Sequence, residues 1–215
     1  MTGLIGTKIG MTSIFDDDGN NIPCTVVEVE PNVVTQIKEA EGKDGYNAVQ
    51  LGYGEATEKN TSRHMIGHFR NAGVEPKQTV REFRNFRDLL EEDVTLGEPI
   101  RVDDIFFEGD IVNVVGVSKG KGFQGVVKRH NFSGVGGQTH GQHDRERHPG
   151  SIGAASDPSR VFPGMKMGGR MGNQRTKELG LQVVKILPDN NVILIKGGVP
   201  GPKNGLVEIY KTEDA

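Results

Sequence analysis

The run GKGFQGVVKRH, Gly120 to His130, satisfies G-x-G-x-x-G-x-V, the glycine-loop pattern that covers ATP phosphates in protein kinases. Phosphoryl transfer of that kind needs further parts: a strand lysine in a V-A-I-K context, an H-R-D loop and a D-F-G aspartate for the metal. None occurs here, and fewer than a hundred residues follow, too few for a catalytic lobe. A dinucleotide site on the same glycines requires a helix packed on a parallel sheet after the third one. Instead VVKRHNFSGVGGQ soon runs into more glycine, and no G-x-x-x-x-G-K-[ST] occurs anywhere. A nucleotide-dependent enzyme using the Gly120–Gly125 loop is the weaker alternative.

Metal chemistry fares no better. HGQHDRERH offers His140, His143, His148 and Asp144, but without cysteine, with glycine-rich flanks and with competing Arg and Lys charges close by. His64 and His68 lie one helical turn apart in HMIGH, which lacks the glutamate of H-E-x-x-H and reads as a solvated or interfacial helix face. The single cysteine, Cys24, sits in the apolar run IPCTVVEV; it excludes an intrachain disulfide and reads as a buried, inert thiol. No Ser or Cys stands in a nucleophile elbow. The chain is expected to have no catalytic residue, no metal site and no cofactor of its own.

Charge supplies the positive signal. The formal net charge is −3, yet Lys119 to Lys177 holds eleven Lys and Arg against three acids, a local +8, and leaves −11 on the other 156 residues. The same segment holds 13 of the 31 glycines, which let backbone N–H groups approach a phosphate chain closely. Phe123, His130, Phe132 and Phe162 can stack on unpaired bases. The candidate phosphate contacts are Lys119, Lys121, Lys128, Arg129, Arg145, Arg147, Arg160, Lys166, Arg170, Arg175 and Lys177, with His130, His140, His143 and His148 beside them. His148 to Pro158 carries no Lys or Arg and is rich in Gly, Ala and Ser, so it reads as a tip built for close packing.

These residues must be positioned by the rest of the chain, which reads as short strands with turn signals between them. GLIGTKIGM and TSIF precede the tight turn DDDGNN; IPCTVVEVE, VVTQIKEA, NAVQLGYG, TVREFRNF and DIVNVVGVS follow, then LQVVKILP, NVILIKGG and LVEIYK after the basic segment. A short helix is expected at about 61–72, capped by Thr61 or Ser62 and ended by Gly73. Many strands at such spacing argue for a closed or nearly closed β-barrel, a mainly β fold with minor α. Residues 1–118 and 178–215 form this discontinuous body, and 119–177 form a basic, glycine-rich excursion without regular period, one that orders on a partner. Hydrophobic residues make up only 34% of the chain, consistent with a segment that packs no core of its own. No apolar run nears the roughly 18–20 residues of a membrane span, and MTGLIGTKIGMT resembles no signal peptide, so a cytoplasmic location is expected. A β-barrel module that binds proteins and carries a disordered basic loop is a further alternative.

Several long motifs, GLIGTKIGMTSIFDDDG, GHFRNAGV, SKGKGFQGVVKRHNF, HPGSIGAASDPSRVFPGMKMGGRMGN and VPGPKNG, resemble the universal third protein of the large ribosomal subunit, the L-three family, in its bacterial form. The match runs in order from residue 1 to about residue 210. The resemblance implies a translation-protein-like barrel and a long looped extension that penetrates ribosomal RNA toward the peptidyl transferase centre. It implies a structural, non-catalytic role, early entry into subunit assembly, and neighbouring large-subunit proteins as partners. No membrane, no small-molecule substrate and no homo-oligomer are expected. Lys8 of the opening motif joins the RNA-binding candidates, and Ser151, Ile152, Gly153, Ala154, Ala155, Ser156 and Asp157 become the tip near the catalytic centre. The chain departs from the family in its acidic body, in His130 where many bacterial members carry Trp, and in Ala154 where some carry a methylated glutamine.

Overall fold

The computed structural model describes residues 2–16, 18–84, 86, 94–137, 140–141 and 143–212. Asp17 of the DDDGNN turn, Asn85 of TVREFRNF and Gln142 of HGQHDRERH lie outside them. The chain divides into two compact units, Met1–Val117 with Arg175–Ala215, and Ser118–Gln174.

The first unit opens with β1 (Gly3–Phe15) and β2 (Asn21–Glu28), a hairpin whose turn is tied by the Asp16 carboxylate accepting the Asn20 backbone N–H at 2.7 Å. GLIGTKIGM and TSIF are thus one strand, with a register slip between Lys8 and Gly10. Next come β3 (Asn32–Lys38), β4 (Ala48–Glu55), α1 (Arg63–Asn71), β5 (Lys77–Arg84), β6 (Pro99–Ile100) and β7 (Ile111–Val117). Ser62 caps α1, its hydroxyl accepting the Met65 N–H, and Gly73 follows the helix at a φ of +71°, a left-handed conformation that glycine adopts without penalty.

In the second unit lie β8 (Gly122–Gln124), α2 (Val126–His130) and β9 (Gly169–Met171). The first unit then resumes with β10 (Arg175–Leu187), β11 (Val192–Lys196) and β12 (Leu206–Lys211).

Six strands close an antiparallel barrel in the order β1-β12-β7-β10-β11-β2. The four strands β5-β4-β3-β6 make a separate sheet, so VVTQIKEA, NAVQLGYG and TVREFRNF do not belong to the barrel. Alternation marks each of them as half-buried but cannot say which sheet it joins. One core serves both sheets: Leu4, Ile5, Val114, Ile193 and Ile209 from the barrel cluster with Leu51, Phe83 and Phe86. Asn32, fully buried, fastens the sheets through its amide, which accepts the Ile5 N–H at 3.0 Å and donates to the Ile5 carbonyl at 3.0 Å. Leaving those groups unpaired would cost roughly 1–3 kcal/mol each.

Two expectations are corrected. The excursion was expected to end at Lys177, but Arg175 to Lys177 already pair with Val117 to Val115 in β10, and the second unit ends at Gln174. The excursion is also not devoid of regular structure, since β8 pairs with β9 and α2 follows Gly125. Both features are short and nearly coreless, so they leave no hydrophobic period in the sequence.

Candidate nucleic-acid interface

The second unit begins and ends on one backbone exchange: Ser118 N–H donates to Gln174 C=O at 2.9 Å and Asn173 N–H to Ser118 C=O at 3.0 Å. From there β8 and β9 run antiparallel, Phe123 opposite Arg170, with Lys121 N–H reaching Met171 C=O at 2.9 Å. Gly172 makes this ribbon possible. Its φ is +71°, and a Cβ there would collide with the Lys119 carbonyl.

α2 is a single short turn starting after Gly125 and stopped by Asn131 in the left-handed region at a φ of +57°. A helix therefore does follow the glycine pattern, but what precedes it is a two-stranded antiparallel ribbon and not the parallel sheet of a dinucleotide fold. Arg129 Nη1 and His130 Nε2 both donate to the Met167 carbonyl, at 2.8 and 3.0 Å, which ties α2 to the segment leading into β9. Gly169 leaves the room, since a Cβ there would run into the Arg129 guanidinium. Farther out, Val135 N–H donates to Glu146 C=O at 3.0 Å, and Gly134, at a φ of +81°, abuts that same carbonyl.

Val126 is the only buried residue among the described residues of this unit. Phe123 is 76% exposed, and Phe162 and Ile152 are exposed as well. Nine Lys and Arg stand here against three acids. Lys119, Lys121, Lys128, Arg145, Arg147, Arg160, Lys166 and Arg170 are exposed and Arg129 half-buried, and among the described residues none of the nine forms an ion pair. Arg160 stacks over Phe162 with 5.1 Å between guanidinium and ring centroid, and His130 lies 6.1 Å from Phe132. His140, His143 and His148 are exposed, and among the described residues no three His, Cys, Asp or Glu are grouped to hold a metal ion. At the expected tip, Ser151 to Asp157 are all exposed, and the Ser151 hydroxyl closes a small turn on Gly153.

Three candidates stand elsewhere. Lys8 is 8% exposed, and its ammonium donates to the Val199 carbonyl at 2.7 Å and the Gly201 carbonyl at 3.4 Å. It braces the VPGPKNG loop, a role the sequence alone did not give it. Arg175 and Lys177 are exposed on β10 of the barrel. Arg175 pairs there with Glu208 at 2.8 Å, and Glu208 also holds Arg81, 2.8 Å away on β5, a residue absent from the expected set. Burial pushes the Glu208 carboxyl up, but hydrogen bonds from Arg175, Tyr210 and Arg81 outweigh it and hold the group below its ordinary value. Burial, with the Glu208 charge beside it, pushes the Tyr210 phenol up to about 12. No local sequence signal could have found this group, because its members are 33 and 127 residues from Glu208.

A mainly β body interrupted by a cationic, nearly coreless insert defines the architectural class. Residues 50–189 match the family model described as Ribosomal protein L3. Over 210 residues, covering 98% of this chain and 99% of the relative, the sequence is 62% identical to the large ribosomal subunit protein uL3 of Salinibacter ruber. The chain belongs to the ribosomal protein L3 family, in its bacterial form. It is a structural constituent of the large ribosomal subunit in the cytoplasm, associated there with ribosomal RNA and proteins, and not an enzyme.

Proposed function

We propose that this chain binds large-subunit rRNA directly through Ser118–Gln174, enters the particle early in assembly, and directs Ser151–Asp157 toward the peptidyl transferase centre. The observation that carries the reading is a set of nine cations without ion-pair partners, among the described residues, on a segment with one buried side chain. Such a segment has little apolar contact to hold it and a surplus of like charge in water. RNA phosphates supply the missing counter-charge, glycines allow backbone approach, and exposed Phe123 and Phe162 offer faces for bases. The division of the chain into a discontinuous body and an inserted RNA-binding extension belongs to the same reading. So do neighbouring large-subunit ribosomal proteins as partners, a chain that forms no homo-oligomer, and the absence of a membrane, a small-molecule substrate or any cofactor beyond Mg2+ carried by RNA.

The test is to express a tagged full-length chain, fractionate large-subunit precursors by sedimentation, and compare it with Lys128→Glu/Arg170→Glu. The wild type is expected in early precursors and mature subunits, with the reversed variant left in the free pool. Equal occupancy of both proteins in precursors contradicts the reading.

A further inference from the structure

The barrel carries a second cationic feature that the insert does not account for. Glu208 on β12 has a side chain only 9% exposed, and each of its oxygens is held by a different guanidinium: Arg81 Nε on Oε1 and Arg175 Nη2 on Oε2, both at 2.8 Å. The Tyr210 hydroxyl donates to Oε2 at 2.9 Å. Glu208 pairs in register with Val115, and Val115 with Lys177, so Lys177 lies on the same face of the sheet, two residues beyond Arg175. Two guanidiniums thus meet one carboxylate, with a third cation on the same face across β7.

A clip between β5 and β12 would need one arginine. Two on one carboxylate bring like charges together and fix two donor forks side by side. A guanidinium has five N–H groups. Arg81 engages Nε with Glu208 and Nη1 with the Val80 carbonyl, while Arg175 engages Nη2 with Glu208 and lies beside the Tyr210 hydroxyl. Their side chains are 49% and 64% exposed, which leaves them accessible to a ligand from solvent. Elsewhere the body is hostile to polyanions, with seventeen Lys and Arg against twenty-six acids in the first unit. A local excess of positive charge with preset forks is suited to one tetrahedral oxyanion.

We propose that Arg81 and Arg175 form a phosphate-binding site on the barrel for one backbone phosphate of large-subunit rRNA, with Lys177 flanking it and Glu208 as the positioning residue. The proposal rests on the RNA-binding reading above. The site gives an acidic body one fixed contact with RNA, which orients it while the insert supplies most of the affinity.

The experiment measures binding of full-length protein to in vitro transcribed large-subunit rRNA, across a salt series and by phosphate-ethylation interference, for wild type, Arg81→Gln, Arg175→Gln and the double variant. Each single variant leaves Glu208 one arginine and the Tyr210 hydroxyl, and the double variant leaves it the hydroxyl alone, so thermal melting checks the folding of all three. Each single variant is expected to weaken binding about tenfold, the scale of a lost charge-assisted hydrogen bond. The double variant should be less than additive, because both forks serve one phosphate. The salt slope should become shallower by about 0.7–0.9, and one ethylation-sensitive phosphate should become insensitive while the other sensitive positions persist. Lys43→Gln, which removes the same charge from an exposed turn, should do none of this. Wild-type slope and an unchanged interference map in folded variants overturn the proposal and leave the insert's role intact. Failure of the wild type to bind rRNA overturns both.

Discussion

The body and the insert use side chains of the same kinds to opposite ends. Phe83, fully buried, packs between Phe86 and Tyr210 at ring-centroid distances of 6.2 and 5.3 Å, whereas Phe123 of the insert is 76% exposed on a three-residue strand. Arg81 and Arg175 of the body are paired with a carboxylate, while insert cations such as Lys128 and Arg170 have no ion-pair partner among the described residues. The difference teaches that the body owes its shape to apolar burial within the chain, and that the insert is shaped to be completed from outside.

Truncating one phenylalanine in each region breaks the comparison most sharply. Phe83→Ala should destabilise the protein by about 3–5 kcal/mol in denaturant unfolding. Phe123→Ala should leave stability within about 0.5 kcal/mol, yet weaken rRNA binding by about 1–3 kcal/mol through lost base stacking. Equal stability losses would mean that the insert has a core of its own.

A second pair separates the ribbon of the insert from its tip. Arg170→Glu should cost about 1.5–3 kcal/mol of rRNA affinity and impair incorporation. Ala154→Trp, which removes no cation, should stay within about 1 kcal/mol in binding but slow peptidyl transfer or alter antibiotic sensitivity in purified subunits. Loss of incorporation with the tip variant alone would reverse this division of labour.

These contrasts were unevenly legible in the sequence. The charge split and the glycine density marked the insert, and β-branched runs bounded by turns marked the long strands. Short elements such as β6, β8 and β9 pack too little apolar surface to show a period. The first half of β10, RTKELG, was hidden because its exposed charges alternate with no apolar face. Lys8 entered the candidates through the opening motif, and only the fold shows its ammonium held by the Val199 and Gly201 carbonyls. Arg81 and Glu208 come together only through the meeting of two sheets, which no local pattern encodes.

A smaller effect sharpens the view of the body as self-sufficient. The Glu208 carboxyl is held below its ordinary value of 4.5, so its charged form is favoured by folding. Its contribution to stability is full above about 4.5 and is lost as pH falls through the lower, folded value. Acid unfolding of Glu208→Gln should therefore show a flatter stability profile below pH 4.5 than the wild type, with or without RNA. Superimposable acid profiles would mean that the carboxylate is not held as described.

The central claim is that RNA affinity resides in the insert and stability in the body. Val117 and Arg175 face each other across β7 and β10, so a short Gly-rich turn can replace 118–174 and close the hairpin. The direct measurement is the salt dependence of rRNA binding for the full chain and for this shortened protein. With about six to eight phosphate contacts, the full chain should show a log–log slope of about −4 to −7. The shortened protein should melt as cooperatively as the full chain and show a slope of about −1 or shallower. A folded, shortened protein that keeps the steep slope contradicts the account.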